Sequence, residues 1–309
     1  MKIKKITLSV TAIAVAMALS VTSCKKKDNT PEDNDTSGAS DNSLAEKTSN
    51  DAVNIAGQAC DIAAGDSLSS YRYSNDVEDA FGLSCATIGR GDSANKKITI
   101  TFNGQQCKDG HVRSGSLIID YSGSVAGAIH YRNPGFKCVI TSNGYTVNGN
   151  TITVNKTITN TTAAGFNPAT TNLTWTIVST VSIVKANGGG TISWNATKTK
   201  TLLNTSDSTV YRGQALHIIW SKARVGITGS ASGTSASGDS YSAVITNQLV
   251  RDMNCSPNAA HPGHHPFIQG NADFTPGSKA TRQIDFGSGA CDNIAVVTIN
   301  GKPHTITLP

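Results

Sequence analysis

A regular alternation of apolar and polar residues is the feature that most restricts what this chain can fold into. Between residues 172 and 183, the apolar side chains alternate with Asn, Thr and Ser, and they are Leu173, Trp175, Ile177, Val181 and Ile183. Residues 151–159 and 191–202 repeat the pattern. Because successive side chains of a strand point to opposite faces, each stretch predicts a strand with one buried face and one face rich in Thr, Ser and Asn.

Asn-Gly dipeptides punctuate these stretches, at 103–104, 143–144, 148–149, 187–188 and 300–301. Asn-Gly readily adopts the two positive φ angles of a type I′ hairpin turn. A two-residue loop at Asn300-Gly301 pairs Ile299 with Lys302 and Val297 with His304. Parallel strands would need helical crossovers, for which the sequence shows no pattern. We therefore predict an all-β fold, an elongated antiparallel β-meander, with a two-sheet β-sandwich as the alternative.

The segment before the strands predicts one short helix over residues 51–63, with an apolar stripe at Val53, Ala56, Cys60 and Ala63. We expect it to pack against an edge or end of the sheet. Residues 25–50 contain Leu44 as their only large aliphatic residue and are predicted to be a disordered tether. The predicted organisation is a single β-rich domain at 51–309 behind a tether at 24–50.

The first 24 residues predict export and lipid attachment. Three lysines precede an apolar run at 6–21, which is shorter than the roughly 20 residues that span a bilayer. Val21-Thr22-Ser23-Cys24 then has the form of a lipobox. Cleavage of a signal peptide at 1–23 leaves Cys24 to carry palmitate-type chains, and stable anchoring takes more than one chain. The expected partner is a membrane, reached through this lipid anchor.

Charge argues against a nucleic-acid partner. The chain has 26 Lys and Arg residues against 21 Asp and Glu, and three of the basic residues lie in the predicted signal peptide. The mature chain is then nearly neutral, with 26 − 3 = 23 basic residues against 21 acidic ones. A nearly neutral chain has no long-range field to attract a polyanion.

Six cysteines remain after Cys24, an even number that indicates disulfides in an exported protein. Six cysteines allow about 15 connectivities, and buried free thiols are the alternative. Local chain closure favours Cys85 with Cys107 and Cys255 with Cys291. No cysteine forms a CxxC pair, which argues against a zinc site or a thioredoxin-like site.

Several stretches resemble a group of uncharacterised β-rich Bacteroidota lipoproteins. They are the lipobox, residues 106–119 around Cys107-Lys108-Asp109-Gly110, the stretch from Leu249 to Cys255, and residues 284–302 around Cys291-Asp292-Asn293. The resemblance implies an outer-membrane lipid-anchored location, either surface-exposed or on the periplasmic face. It assigns no catalytic or binding residue.

Two kinds of modification or ligand site are suggested by short motifs. His261, His264 and His265 form the densest imidazole cluster and are weak candidates for a Zn²⁺, Cu²⁺ or Ni²⁺ site, with a solvated loop as the alternative. Ser67 and Ser93 follow Asp and precede an apolar residue, as in the O-glycosylation acceptors of Bacteroidota. We predict no resident metal or cofactor.

Catalytic motifs do not occur in the sequence: there is no G-x-S-x-G, no H-E-x-x-H and no phosphate-binding glycine loop. We therefore predict a non-enzymatic envelope protein that binds a glycan or a surface protein, or acts as a scaffold, through its Thr/Ser/Asn-rich face. One alternative is a polysaccharide-active hydrolase using two of Asp109, Asp120, Asp285 and Asp292. The other is a subunit of a surface fibre or adhesin. The alternation places Trp175 and Trp194 in the core, whereas an exposed Trp could stack on sugar rings.

Overall fold

The alternating stretches form strands that pair into one large antiparallel sheet. A computed structural model of the chain describes residues 37–63, 85–90, 96–128, 130–212, 215–255 and 266–307, and all of these belong to one compact unit, Asp35–Pro309. The helices are α1 (Ser37–Ala63) and α2 (Thr205–Ser208), with 3₁₀ turns at Ala186–Gly188 and Trp220–Lys222. The strands are β1 (Ala86–Arg90), β2 (Lys97–Gln106), β3 (Val112–Asp120), β4 (Lys137–Val147), β5 (Asn150–Asn160), β6 (Thr174–Val184), β7 (Thr191–Leu202), β8 (Thr209–Arg212), β9 (Ala215–Ile218), β10 (Arg224–Thr234), β11 (Ser240–Asp252), β12 (Phe267–Pro276), β13 (Arg282–Ser288), β14 (Ile294–Ile299) and β15 (Lys302–Thr307).

The predicted meander is confirmed. Thirteen strands follow one another in chain order across a single sheet, from β1 to β7 and then from β10 to β15. The hairpin β8–β9 is inserted between β7 and β10 and forms a separate two-stranded sheet. Every described pairing is antiparallel, and the thirteen strands form one hydrogen-bonded sheet in place of the two sheets of the alternative prediction.

Three of the five Asn-Gly pairs make the predicted turns. Asn148, Asn187 and Asn300 each have a positive φ and are followed by a glycine that does too. The last of these turns pairs Ile299 with Lys302 and Val297 with His304, as predicted. The other two pairs lie inside β2 and β4, where the strand register shifts, so they are β-bulges and not turns.

Helix α1 is longer than predicted. It begins at Ser37, fourteen residues before residue 51, so residues 37–50 belong to the helix and not to a disordered tether. The buried residues of the helix are mostly small or polar, and they are Gly38, Asp41, Ala45, Ser49, Ala52, Ile55, Ala56, Gln58 and Ala59. Small and polar side chains gave no apolar signal in the sequence, although they allow the helix to lie close to the sheet.

The helix crosses the face of the sheet and does not pack against its edge or end. Near the helix start, Gly38 faces Phe274 and Pro276 of β12. Further along, Asp51 contacts Arg113 of β3. The face covered by α1 is called the inner face below, and the opposite one the outer face. The core lies on the inner face, where Ile100, Leu117, Ile140, Val181 and Trp194 are among the fully buried residues.

Candidate binding surface

The outer face carries polar side chains in straight rows that cross the strands. One row runs from β5 to β11 through Asn155, Thr180, Asn195, Ser232 and Ser242. The next runs parallel to it through Thr153, Ser182, Ser193, Thr234 and Ser240. Neighbouring strands lie about 4.8 Å apart, so the hydroxyl and amide groups recur at that interval. We call these two lines the outer polar rows.

The central side chains of the first row are tied together. The Thr180 hydroxyl donates a hydrogen bond of 2.9 Å to Oδ1 of Asn195 on the neighbouring strand. Both residues are exposed, so the pair forms at the surface and not as part of the core. The bond limits the rotamers of both side chains, so this part of the row is ordered before any partner arrives.

The centre of the outer face, formed by β5, β6 and β7, has no charged side chain. The outward positions of β5, β6 and β7 are occupied by Thr, Ser, Asn and two valines, with no Lys, Arg, Asp or Glu among them. Val178 and Val184 are about half exposed. Protein surfaces usually mix charges of both signs on roughly a quarter of their residues or more. The central outer face is therefore a neutral surface that offers hydrogen bonds with little electrostatic selection.

The lysines of the same strands point the other way, toward α1. Lys185, just after β6, forms an ion pair of 2.6 Å with Asp41, whose other oxygen accepts a bond from the backbone N–H of Ala236. Lys198 of β7 pairs with Glu46. Beside it, Nε1 of Trp194 donates to Oδ1 of Asn42 at 2.9 Å. The polar side chains of the helix thus match the polar side chains of the inner face.

Lys156 is the most deeply buried of these lysines. Its side chain projects from β5 between Val154 and Ile158, and the residue is 2 % exposed. Nζ donates to the hydroxyl of Ser49 at 2.8 Å and to the Ser49 carbonyl oxygen at 3.0 Å. Burial lowers the pKa of Lys156 to about 7, and the nearby charge of Lys198 acts in the same direction.

Arg113 forms the second buried charge centre of the inner face. Its side chain is fully buried and bonds Asp51 of α1 at 2.9 and 3.0 Å, while Asp109 accepts bonds of 2.8 and 2.5 Å. Nε donates to the hydroxyl of Tyr145 at 3.2 Å. Burial acts to lower the pKa of Arg113, but the bond to Asp109 and the charge of Asp51 raise it overall. The cluster fixes α1 to β3.

The inward direction of Lys156 and Lys198 has a signal in the sequence. Lys156 lies at an even position between Val154 and Ile158, so the alternation itself puts it on the apolar face. Lys198 has the same relation to Ala196 on β7. Lysines at apolar positions of an alternating strand indicate a polar element packed against that face, which here is α1.

The four candidate carboxylates each cap a turn. Oδ1 of Asp109 accepts the backbone N–H of His111, and Oδ1 of Asp120 accepts that of Ser122. Asp285 and Asp292 bond the backbone N–H groups of residues 287 and 294 in the same way. These last two also line a shallow depression at β13 and β14. All four aspartates cap turns, positions that Asp side chains favour, and Asp109 also pairs with buried Arg113.

The tryptophans lie where the alternation placed the first two. Trp175 and Trp194 are buried, and Nε1 of Trp175 donates to the backbone oxygen of Tyr131 at 2.9 Å. Trp220 is half-buried, with Nζ of Lys200 4.8 Å from its ring centre. The outer polar rows therefore contain no tryptophan.

The predicted disulfides Cys85–Cys107 and Cys255–Cys291 are confirmed. Cys138 is a buried free thiol on β4. Burial raises the pKa of Cys138 to about 12, so its thiol is protonated and unreactive at neutral pH.

Other predicted sites lie outside the described residues: Cys24, Ser67, Ser93, His261, His264 and His265. Within the part of the chain that is described, no group of three His, Cys, Asp or Glu side chains is arranged to hold a metal ion. The described helices likewise include none with the length and apolar character needed to cross a membrane.

Comparison with known proteins identified no relative. No known protein family, no curated protein sequence and no solved structure matches this chain.

Proposed function

We propose that the chain is a lipid-anchored protein of the cell envelope that binds a neutral, hydroxyl-rich polymer, a glycan, through the outer polar rows. The location is supported by the charged start, the short apolar run and the lipobox that ends at Cys24. These features, with the resemblance to Bacteroidota lipoproteins, favour the outer membrane.

The observation that carries the binding proposal is the segregation of charge between the two faces of the sheet. Lys156 and Lys198 turn inward to α1, whereas the outward positions of the same strands hold hydroxyl and amide groups. A neutral polyol offers many donors and acceptors and no charge, and it would meet such a surface without burying an unpaired ion. An acidic or basic partner would find no counter-charge at the centre of this face.

The rows also give the ligand a direction. The side chains of a row recur at about 4.8 Å, a distance similar to the rise of one sugar unit in an extended chain. An extended glycan lying across the strands can therefore present successive hydroxyl groups to successive strands. Valine side chains beside the rows, at 178 and 244, supply apolar contact for the C–H faces of the sugars.

Affinity electrophoresis in gels containing mannan, xylan or β-glucan tests the binding proposal. The protein used is the mature chain with Cys24→Ser, which lacks the lipid. We expect at least one polymer to retard it and the double variant Asn195→Lys/Ser232→Glu to lose at least fivefold in affinity. Gln283→Lys on β13 is the control, because it adds a charge at an exposed strand position away from the rows. Equal retardation of all three proteins, or of none, contradicts the proposal.

The lipid anchor is tested separately. We expect metabolic labelling with an alkyne fatty acid to modify the wild-type protein in its native host and not the Cys24→Ser variant. An unmodified amino terminus in a soluble fraction would contradict the proposed location without affecting the binding assay.

Neither alternative function is proposed. The aspartates considered for a hydrolase are engaged in turn capping, as described above. For a fibre subunit, the sheet edge formed by β15 includes Pro303, which lacks the N–H that an added strand would need at that position.

A further inference from the structure

The contact between α1 and the sheet depends on polar groups to an unusual degree. Among the helix residues whose burial is described, 37–60, the buried side chains are mostly small or polar. Ile55 is the one large aliphatic side chain that is fully buried there, and Leu44 and Val53 pack partly buried against the core. Five polar side chains of the helix bond residues of the sheet or its turns, and they are Asp41, Asn42, Glu46, Ser49 and Asp51. A helix held in this way is sensitive to the charge state of its partners.

Lys156 lies at the centre of this contact and faces titratable groups on three elements. On α1, the Ser49 hydroxyl and carbonyl oxygen accept its hydrogen bonds, and the Glu46 carboxylate favours its charge. On β7, Lys198 and Lys200 disfavour its charge, and on β4 the Cys138 thiol is close by. Within β5 its neighbours on the same face are Val154 and Ile158. Burial among apolar side chains and the charges of Lys198 and Lys200 therefore disfavour the protonated amine of Lys156, whereas the Glu46 carboxylate favours it.

We propose that α1 is a pH-sensitive latch: the helix docks on the inner face most firmly when the amine of Lys156 is neutral, and its release is accompanied by the uptake of a proton at that amine. The bond to Ser49 survives deprotonation, because a neutral amine still carries two N–H donors. Deprotonation removes the free-energy cost of burying the charged amine. That cost is absent when α1 is undocked, because the amine is then in water.

The direction of the pH dependence follows from the two states of the lysine. With α1 docked, the pKa of Lys156 is about 7, and with α1 released and the amine in water it returns toward 10.5. Between these two values the released state binds one more proton than the docked state. Docking therefore strengthens as the pH rises through this window, by about tenfold in the docking equilibrium per pH unit at most. Below about pH 7 both states are protonated, and Lys156 adds no further dependence.

Hydrogen exchange with mass-spectrometric detection tests the latch. The mature chain with Cys24→Ser is compared with its Lys156→Met variant from pH 7 to pH 9, and each rate is corrected for the intrinsic exchange rate at that pH. Peptides from α1 report release, because an isolated polar helix is marginal in water and its amides exchange. Peptides from β6 and β7 report global unfolding in the same sample.

We expect the protection of α1 to be lower than that of β6 and β7, and to increase at least tenfold from pH 7 to pH 9 in the wild type. In Lys156→Met the increase should be less than threefold. Lys185→Met is the matched control, since it removes another lysine that bonds the helix but lies partly in water. It should lower the protection of α1 and keep the wild-type increase.

Two outcomes overturn the latch. One is an equal increase in the wild type and Lys156→Met, and the other is protection of α1 equal to that of β6 and β7 at every pH. If Lys156→Met does not fold, Lys156→Gln replaces it, because the amide can still donate to Ser49 but does not titrate over this range.

Discussion

Polar side chains are buried and bonded to α1 on the inner face of the sheet, whereas they are exposed to water on the outer face. On the inner face, Lys156 and Arg113 are buried, and each is bonded by a group from α1. On the outer face, β5, β6 and β7 expose hydroxyl and amide groups to water and carry no charged side chain. Burial makes each inner polar group dependent on its partner, whereas an outer group always has water as a substitute. The inner face should therefore determine stability, and the outer face should be free to determine binding.

The largest expected effect comes from breaking a buried charge centre. Arg113→Met leaves Asp109 and Asp51 without their shared partner, and we expect the free energy of unfolding to fall by about 3–5 kcal/mol. Urea denaturation followed by circular dichroism measures it. Arg224→Met is the matched control, because Arg224 pairs with Asp252 at 3.6 Å with both side chains partly exposed. That change should cost about 0–1 kcal/mol. Similar losses for the two arginines would show that burial is not the decisive difference.

Two valines of β6, one on each face, test the difference between the inner and outer faces with uncharged side chains. Val181 faces inward and is 1 % exposed, whereas Val178 faces outward and is 48 % exposed. Val181→Ala removes buried apolar surface and leaves a cavity, so we expect a loss of about 2 kcal/mol. Val178→Ala should change the free energy of unfolding by less than about 0.5 kcal/mol. Both are read from the same urea curves, and equal losses would mean that the outer face is covered in solution.

The third prediction concerns Lys156 and global stability. Replacing a buried charge by an apolar side chain of similar length is often neutral or stabilising, so Lys156→Met should gain about 1–2 kcal/mol at pH 7. The lowered pKa of Lys156 means that the wild type gains stability as the pH rises from 7 toward 10, since the unfolded chain still binds the proton that the folded chain has lost. The gain from the substitution should therefore shrink with pH. A constant difference across that range would show that the lysine is charged when folded.

The sequence predicted the features that depend on alternation and failed where a polar element was involved. The strands, their antiparallel order and the pairing of Val297 with His304 follow from period two and from Asn-Gly turns. The start of α1 was missed because its inward residues include Asp41 and Ser49, and polar residues in a sequence indicate a solvent-exposed segment. In the structure these two side chains bond Lys185 and Lys156. Complementarity between two polar surfaces is a tertiary property that neither segment shows alone.

The Asn-Gly pairs show the same limit on a smaller scale. Asn143-Gly144 has the composition of a hairpin turn but lies inside β4, where Gly115 of β3 approaches it. A Cβ at Gly115 would be 2.1 Å from the carbonyl oxygen of Gly144. Only the neighbouring strand decides between a turn and a bulge at such a dipeptide.

The smallest expected effect on stability separates the two faces most clearly. Thr180→Val removes the hydroxyl that donates to Asn195 and keeps the β-branched shape of the side chain. Because water replaces the lost partner at an exposed site, the free energy of unfolding should change by less than about 0.5 kcal/mol. Binding to a retarding polysaccharide should nevertheless weaken about threefold or more, since a hydrogen bond at a desolvated contact contributes on the order of 1 kcal/mol. A loss of stability with unchanged retardation would reverse the assignment, making the outer polar rows a structural feature of the sheet and leaving the binding site to be sought elsewhere.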